Sequence, residues 1–152
     1  MKLQKSTSLA LVSVLEAASH PERQVAAAEI AEKYGVSPHH LAKVLRELGR
    51  AGMMESARGV GGGYRFSGNA KRVTLMDVIE LFEDISARSP EEEGEPTTDV
   101  GTALGRVLSE IDEIARATFR SITIDTMLKL VERERGVRRA VAARPASHSG
   151  AV

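Results

Sequence analysis

No cysteine occurs anywhere in the 152 residues. Disulfides, thiolate metal sites and cysteine nucleophiles are therefore excluded, and only histidine and carboxylate side chains remain as metal ligands. Equally missing is an apolar run of about 18 residues, the length at which a stretch reads as a membrane span. The N-terminal stretch MKLQKSTSLALVSVLEAAS breaks its apolar residues with charged and polar ones and lacks the uninterrupted core and cleavage site of a secretory signal. A cytoplasmic protein with no membrane partner is expected. The glycine-rich run GVGGGY has no Walker lysine after it, and the residues that follow, FSGNAKRV, do not open a helix as a dinucleotide fingerprint would. No catalytic constellation is visible elsewhere, so no enzyme, no metal and no cofactor is expected. The length is about one domain's worth: one compact core, or a small module with an extension.

What is present is divided by charge. Residues 1–73 hold 11 Lys+Arg against 6 Asp+Glu, net +5, and residues 74–152 hold 10 against 15, net −5. A basic first half suits a polyanion, and an acidic second half is better placed to meet protein. Leu11, Val14, Leu15 and Ala18 recur at helical spacing up to His20-Pro21, which predicts a first helix over residues 5–19. VAAAEIAEKYG predicts a second, with Ile30 and Tyr34 one turn apart and Gly35 as a left-handed stop. Ser37-Pro38 then pairs an N-cap with a proline at the first helical position, where its missing N–H costs nothing. The third helix has an apolar stripe of Leu41, Val44, Leu45 and Leu48, leaves His39, His40, Lys43, Arg46 and Arg50 on other faces, and ends at Gly52.

Two helices joined by a short turn, the second basic on its outer face, form a helix-turn-helix pattern that any small helical bundle can imitate. The continuation separates the two readings. Met53-Met54-Glu55-Ser56 and Gly63-Tyr64-Arg65-Phe66 are compatible with strands on either side of the glycine run, which makes a β-hairpin with a flexible tip. A hairpin directly after a helix-turn-helix is a wing, and the phosphate its loop approaches is then that of DNA.

From AAEIAEKYGVSPHHLAKVLRELGRAGMMESARGVGGGYRFSGNAKRVTLMDVIELFED the chain resembles the Rrf2 family of bacterial winged-helix transcription regulators, relatives of IscR, NsrR and CymR. The resemblance covers residues 1–84. Its most specific elements are Ala51-Gly52 before the wing, Ser56, Arg58 and Gly59 at the wing's start, Gly62-Gly63-Tyr64 after it, and Thr74-Leu75 with Asp77-Val78 opening the next helix. The resemblance implies a homodimer on a partly palindromic double-stranded operator, with the recognition helix in the major groove and the wing arginine in the minor groove. Position by position it assigns Ser37, His39, His40 and Lys43 to the DNA face of the recognition helix. In the wing it assigns Ser56, Arg58, Gly59, Gly62, Tyr64 and Arg65, with Arg58 as the wing arginine. The alternative for His39 and His40 is that of ordinary surface histidines. Ala42 departs from relatives that carry an acidic base-reading residue there, which implies a different operator sequence. The three cysteines that iron-sulfur members carry after the fourth helix are also missing.

Beyond the wing, Thr74 with Asp77 has the form of a capping box, and Leu75, Val78, Ile79 and Phe82 make the apolar stripe of a fourth helix. SARSPEEEGEPTTD lacks periodicity and reads as an acidic flexible loop over residues 85–98, whose Glu91, Glu92, Glu93 and Glu95 are a solvated cluster. Leu104, Val107, Leu108, Ile111, Ile114, Ala115 and Thr118 then form a heptad-like seam wider than a small domain can cover, so residues 99–135 are expected to dimerise, the alternative being a helix folded back on its own domain. Residues 136–152 show no sustained pattern and are expected to be a flexible tail. The expectation is a mainly α protein with one small β-hairpin: a winged helix-turn-helix over residues 1–84, then a long dimerisation helix. It would act as a repressor, its signal a small molecule or a protein effector. A winged-helix module used for protein contacts is the competing reading.

Overall fold

A computed structural model describes residues 2–85 and 98–143. The acidic cluster Glu91 to Glu95 lies outside the described residues, as does the end of the tail from residue 144. Eight elements follow in order: α1 (Lys5–Ala18), α2 (Ala27–Tyr34), α3 (Pro38–Arg50), β1 (Met54–Ala57), β2 (Gly63–Phe66), α4 (Leu75–Ile79), α5 (Asp99–Ser121) and α6 (Ile124–Ala142). The fold class is the one expected, mainly helical with a single antiparallel hairpin.

The core gathers around α1, which packs against α3, α4, β2 and α6. That central position changes which of its residues are covered. Leu9, Ala10, Val14 and Ala17 are buried together with Thr7 and Ser13, whereas Leu11, Leu15 and Ala18 are only half-buried. A helix packed on several sides does not show one clean stripe. Ser13 meets its burial by donating to the Leu9 carbonyl at 2.7 Å.

The helix-turn-helix forms as the capping signals dictate. Gly35 ends α2 at φ 61°, and the Ser37 side chain accepts from the His40 amide to start α3. All four stripe residues of α3, Leu41, Val44, Leu45 and Leu48, are buried. The capping box is also present: the Asp77 amide donates to Thr74 Oγ1 at 3.2 Å, and the Thr74 amide donates to Asp77 Oδ2 at 2.8 Å. The helix it opens is shorter than the apolar spacing suggests, ending at Ile79, with Phe82 beyond it but still packed on the core.

Two boundaries differ from the sequence reading. Ile124, counted there with the dimerisation helices, is fully buried in the first unit, and Phe119, Ile122, Met127 and Leu128 pack beside it. Backbone bonds hold this return: Leu75 donates to the Ile122 carbonyl at 2.9 Å, Ile124 to Val73 at 2.9 Å and Asp125 to Ala70 at 2.8 Å. The sequence pattern carries no sign of such long-range pairing. Residues 136–142, read as flexible tail, continue α6 as helix, because nothing between Ile124 and Ala142 breaks the i to i−4 ladder except a tolerated glycine at 136.

A polar clamp joins α1 to the end of α2. Lys33 Nζ donates to Glu16 Oε1 at 2.6 Å, and the Tyr34 hydroxyl donates to the same oxygen. Burial pushes the Glu16 carboxyl up, but the hydrogen bonds from Lys33 and Tyr34 outweigh it and hold the group below its ordinary value. Burial and the Glu16 carboxylate push the Tyr34 phenol up to about 12. A folded-state value above the unfolded one means that Tyr34 contributes stability below pH 10, lost as pH rises toward 12. Glu16 contributes in the opposite sense, its share present at neutral pH and lost on acidification below the usual carboxylate range. In an ultraviolet titration of the folded protein, a tyrosinate step near 12 should be present, absent in Tyr34→Phe, and shifted toward 10 in Glu16→Gln. An unshifted step in Glu16→Gln would remove the clamp as its cause.

Candidate nucleic-acid interface

The wing is set by the hairpin register, Met54 opposite Phe66, Glu55 opposite Arg65, Ser56 opposite Tyr64 and Ala57 opposite Gly63. A third backbone segment joins its base. Val25, just before α2, donates to the Tyr64 carbonyl at 2.8 Å, and Tyr64 donates back to Val25 at 2.8 Å. This contact explains a glycine. A Cβ on Gly63 would stand 2.6 Å from the Val25 carbonyl oxygen, inside any permitted contact. Gly62 is confined by the loop itself, where a Cβ would meet the Ala57 oxygen at 2.6 Å and the Gly59 oxygen at 2.8 Å. Gly59 and Gly61 have open space but adopt φ of 100° and 75°, which turn the tip.

The proposed DNA residues are thereby placed in three settings. His39, Lys43, Ser56, Arg58 and Gly59 are exposed, and among the described residues neither Arg58 nor Lys43 makes an ion pair or a hydrogen bond through its side chain. Arg65 is exposed but engaged: its Nε and Nη2 donate to Glu55 Oε2 across the hairpin at 3.1 and 2.9 Å. Such an exposed pair is worth little, so it is easily exchanged for another anion. Tyr64 is half-buried and packed on the core, with its backbone tied to Val25, which makes it a support of the wing. Ser37 is exposed at the start of α3, while His40 is half-buried and turns back toward α1, its Nε2 3.5 Å from Ser6 Oγ. Sequence reasoning missed Val25, and its only signal was a β-branched residue in a short connection.

The face assigned to assembly is exposed from Leu104 to Ile114. None of the 23 residues of α5 is buried. Leu104 is 57% exposed, Ile111 55% and Ile114 67%, with Val107 and Leu108 alongside, while Ala115 is half-buried. Thr118 is exposed and donates its hydroxyl to the Ile114 carbonyl at 2.8 Å. Arg120 reaches Glu80 at 3.5 Å, tying the end of α5 to the first unit.

Comparison with known proteins bears on the family and the fold. The family model Rrf2, described as an iron-dependent transcriptional regulator, matches residues 3–130. An HTH-type transcriptional regulator of Rhodopseudomonas palustris, BadM, is 53% identical over 135 residues, covering 89% of this chain and 86% of that protein. Protein aau3 of Rhizobium meliloti is 35% identical over 136 residues, covering 85% and 86%. Among solved structures, CymR, the global cysteine regulator of B. subtilis, superposes with a TM-score of 0.72 at 23% identity over 86% of this chain and 98% of its own. T. potens IscR does so with 0.66 at 24%, over 88% and 90%. At such identities the two structures speak for the fold. The iron named in the family's description has no matching donor set here: the chain contains no cysteine, and no three His, Asp or Glu side chains converge among the described residues. No helix among those residues is long and apolar enough to cross a membrane.

Because Gly63 abuts Val25, Gly63→Ala should force the wing base apart and cost about 1–3 kcal/mol of stability in urea unfolding. A neutral effect would mean that the Val25 segment yields freely.

Proposed function

This chain belongs to the Rrf2 family of DNA-binding transcriptional regulators, and from that membership we propose that it acts as a homodimeric repressor on a partly palindromic operator, with no iron-sulfur cluster. The observation that carries the proposal is the exposed apolar face of α5. Leu104, Val107, Leu108, Ile111 and Ile114 lie on one side of a long helix, and leaving that much hydrocarbon in water is unfavourable by about 25 cal/mol for each Å². A second copy of the same helix is the partner of matching chemistry, and the twofold axis it creates repeats the DNA-reading elements. Two recognition helices about 34 Å apart would then read two half-sites on one side of the duplex.

On each half-site, the first turn of α3, with Ser37 and His39, and then Lys43, enters the major groove. The N-terminal amides and Lys43 supply phosphate or guanine contacts. Arg58 at the wing tip enters the minor groove, where a narrow A·T-rich stretch concentrates negative potential. Ser56, Gly59 and Gly62 bring the loop backbone to the sugar-phosphate edge, and Arg65 exchanges Glu55 for phosphate. His40 acts behind this surface, setting α3 against α1 through Ser6. Occupying a promoter in this way blocks access by polymerase.

Two substitutions test the two parts. Arg58→Ala should weaken binding to an operator selected from a random DNA pool by about 1–3 kcal/mol while leaving unfolding unchanged, since the side chain has no partner in the described fold. Full affinity in the folded variant removes Arg58 from the interface. Ile111→Glu places an unpaired charge in the seam, and a solution mass measurement should show a monomer with reduced operator affinity. If the unsubstituted protein is itself monomeric at micromolar concentration yet binds the operator tightly, the dimer proposal fails.

A further inference from the structure

A cavity of about 690 Å³ opens between the N-terminal turns of α1 and the turn joining α2 to α3. Its volume lies within the range of about 300–1,000 Å³ usual for small-molecule sites. The walls are mainly apolar, formed by Leu3, Leu9 and Val12 on one side and Val36 with Tyr34 on the other. Tyr34 has its hydroxyl committed to Glu16, so it offers the cavity no free proton donor. Lys2 and Lys5 stand at the rim, neither engaged in an ion pair or side-chain hydrogen bond among the described residues. No Asp or Glu lines the cavity. Glu83 stands nearby, its Oε1 accepting from the Gln4 amide at 3.0 Å, but it is outside the lining and forms no ion pair with either lysine. Apolar walls select a hydrocarbon or aryl body, and two ammonium groups at a rim that holds no carboxylate select a negative head.

We infer that this cavity is an effector site for a small amphipathic carboxylate, and that its occupation lowers operator affinity. The inference rests on the regulator reading for its consequence, though not for the binding itself. Ser37 and His40 form part of the lining, and these are the residues that start the recognition helix and set it against α1. A carboxylate at Lys2 and Lys5 cancels positive charge beside that start, where the polyanion must approach. An occupant touching Ser37 and His40 also biases the seating of the first turn of α3. By linkage, DNA must weaken carboxylate binding by the same factor.

The test uses the full chain and the fluorescent anion anilinonaphthalene sulfonate, displaced by millimolar octanoate or 4-phenylbutyrate, with octanol and octylamine as matched bodies lacking the negative head. At least one carboxylate should displace the probe, and neither neutral nor cationic analogue should. Val12→Trp, which fills the cavity, should abolish that displacement. The saturating carboxylate should weaken operator binding of the unsubstituted protein by about fivefold or more, and that of Val12→Trp not at all. Lys5→Gln, at an exposed position, provides a variant whose folding is not in question, and it should weaken carboxylate displacement by about tenfold. Displacement by octanol equal to that by octanoate, displacement that survives in Val12→Trp or Lys5→Gln, or failure of both carboxylates would overturn the site. Displacement without any change in operator affinity would overturn its regulatory role. Operator binding by the ligand-free protein separately tests the regulator reading, so the two failures are distinguishable.

Discussion

Two backbone hydrogen bonds between Val25 and Tyr64, each 2.8 Å long, decide where the wing stands relative to the helix-turn-helix. A two-stranded hairpin alone is marginal in water and would point its tip over a wide range of directions. Pairing β2 with the segment before α2 makes the wing base three segments wide, and it fixes the wing to the start of the helix pair α2 and α3. Gly63 permits that approach because any side chain there would collide with the Val25 carbonyl. The base of the wing is therefore held against the helix-turn-helix by the protein itself, which on the proposed reading lessens the ordering entropy lost on binding DNA.

Behind this surface, α1 connects the elements proposed to read DNA to the helices proposed for assembly. It touches α3, β2, α4 and α6. Small residues at Ala10, Ser13 and Ala17 let those neighbours approach closely. The return of the chain at Ile122 to Asp125, bonded to Ala70, Val73 and Leu75, seals the same core. Consequently α5 is anchored at its C-terminal end, while the apolar residues from Leu104 to Ile114 extend from that anchor with no partner in the described fold. A rigid base with an unsatisfied apolar arm is what a twofold assembly needs, because the arm alone then transmits the position of one DNA-reading unit to the other.

Most of the local structure was legible because it is locally determined. Ser37-Pro38, Gly35 and the Thr74 and Asp77 pair are start and stop signals whose physics involves only neighbours in sequence, and the structure bears them out at those residues. The stripe of α3 was legible because that helix is covered on one side only. What escaped is non-local. The burial pattern of α1 depends on partners on several sides, the burial of Ile124 on a pairing with residues some fifty positions earlier, and the half-burial of His40 on Ser6. The glycine run shows the same division. Its composition announced a tight loop beside a ligand, yet two of its glycines are required by approaches inside the protein, Gly62 to its own loop and Gly63 to Val25.

The charge division of the chain also acquires a physical sense from this arrangement. The +5 of residues 1–73 lies from α1 to the end of the wing, but α4 and the turn after it add Asp77, Glu80, Glu83 and Asp84 to the same unit, so its basic groups face carboxylates at close quarters. A uniformly basic chain would bind DNA in many orientations, since phosphate attraction carries no sequence information. Mixing carboxylates among the basic groups lowers the attraction of those other orientations, so the proposed recognition helix and wing have to supply the favoured approach. The same asymmetry makes the basic surface sensitive to modest changes. In the proposed complex a negative charge bound near Lys2 and Lys5 stands beside the start of α3. The proposed effector site beside α3 therefore needs no long-range conformational relay, because a charge bound there would act on the DNA directly.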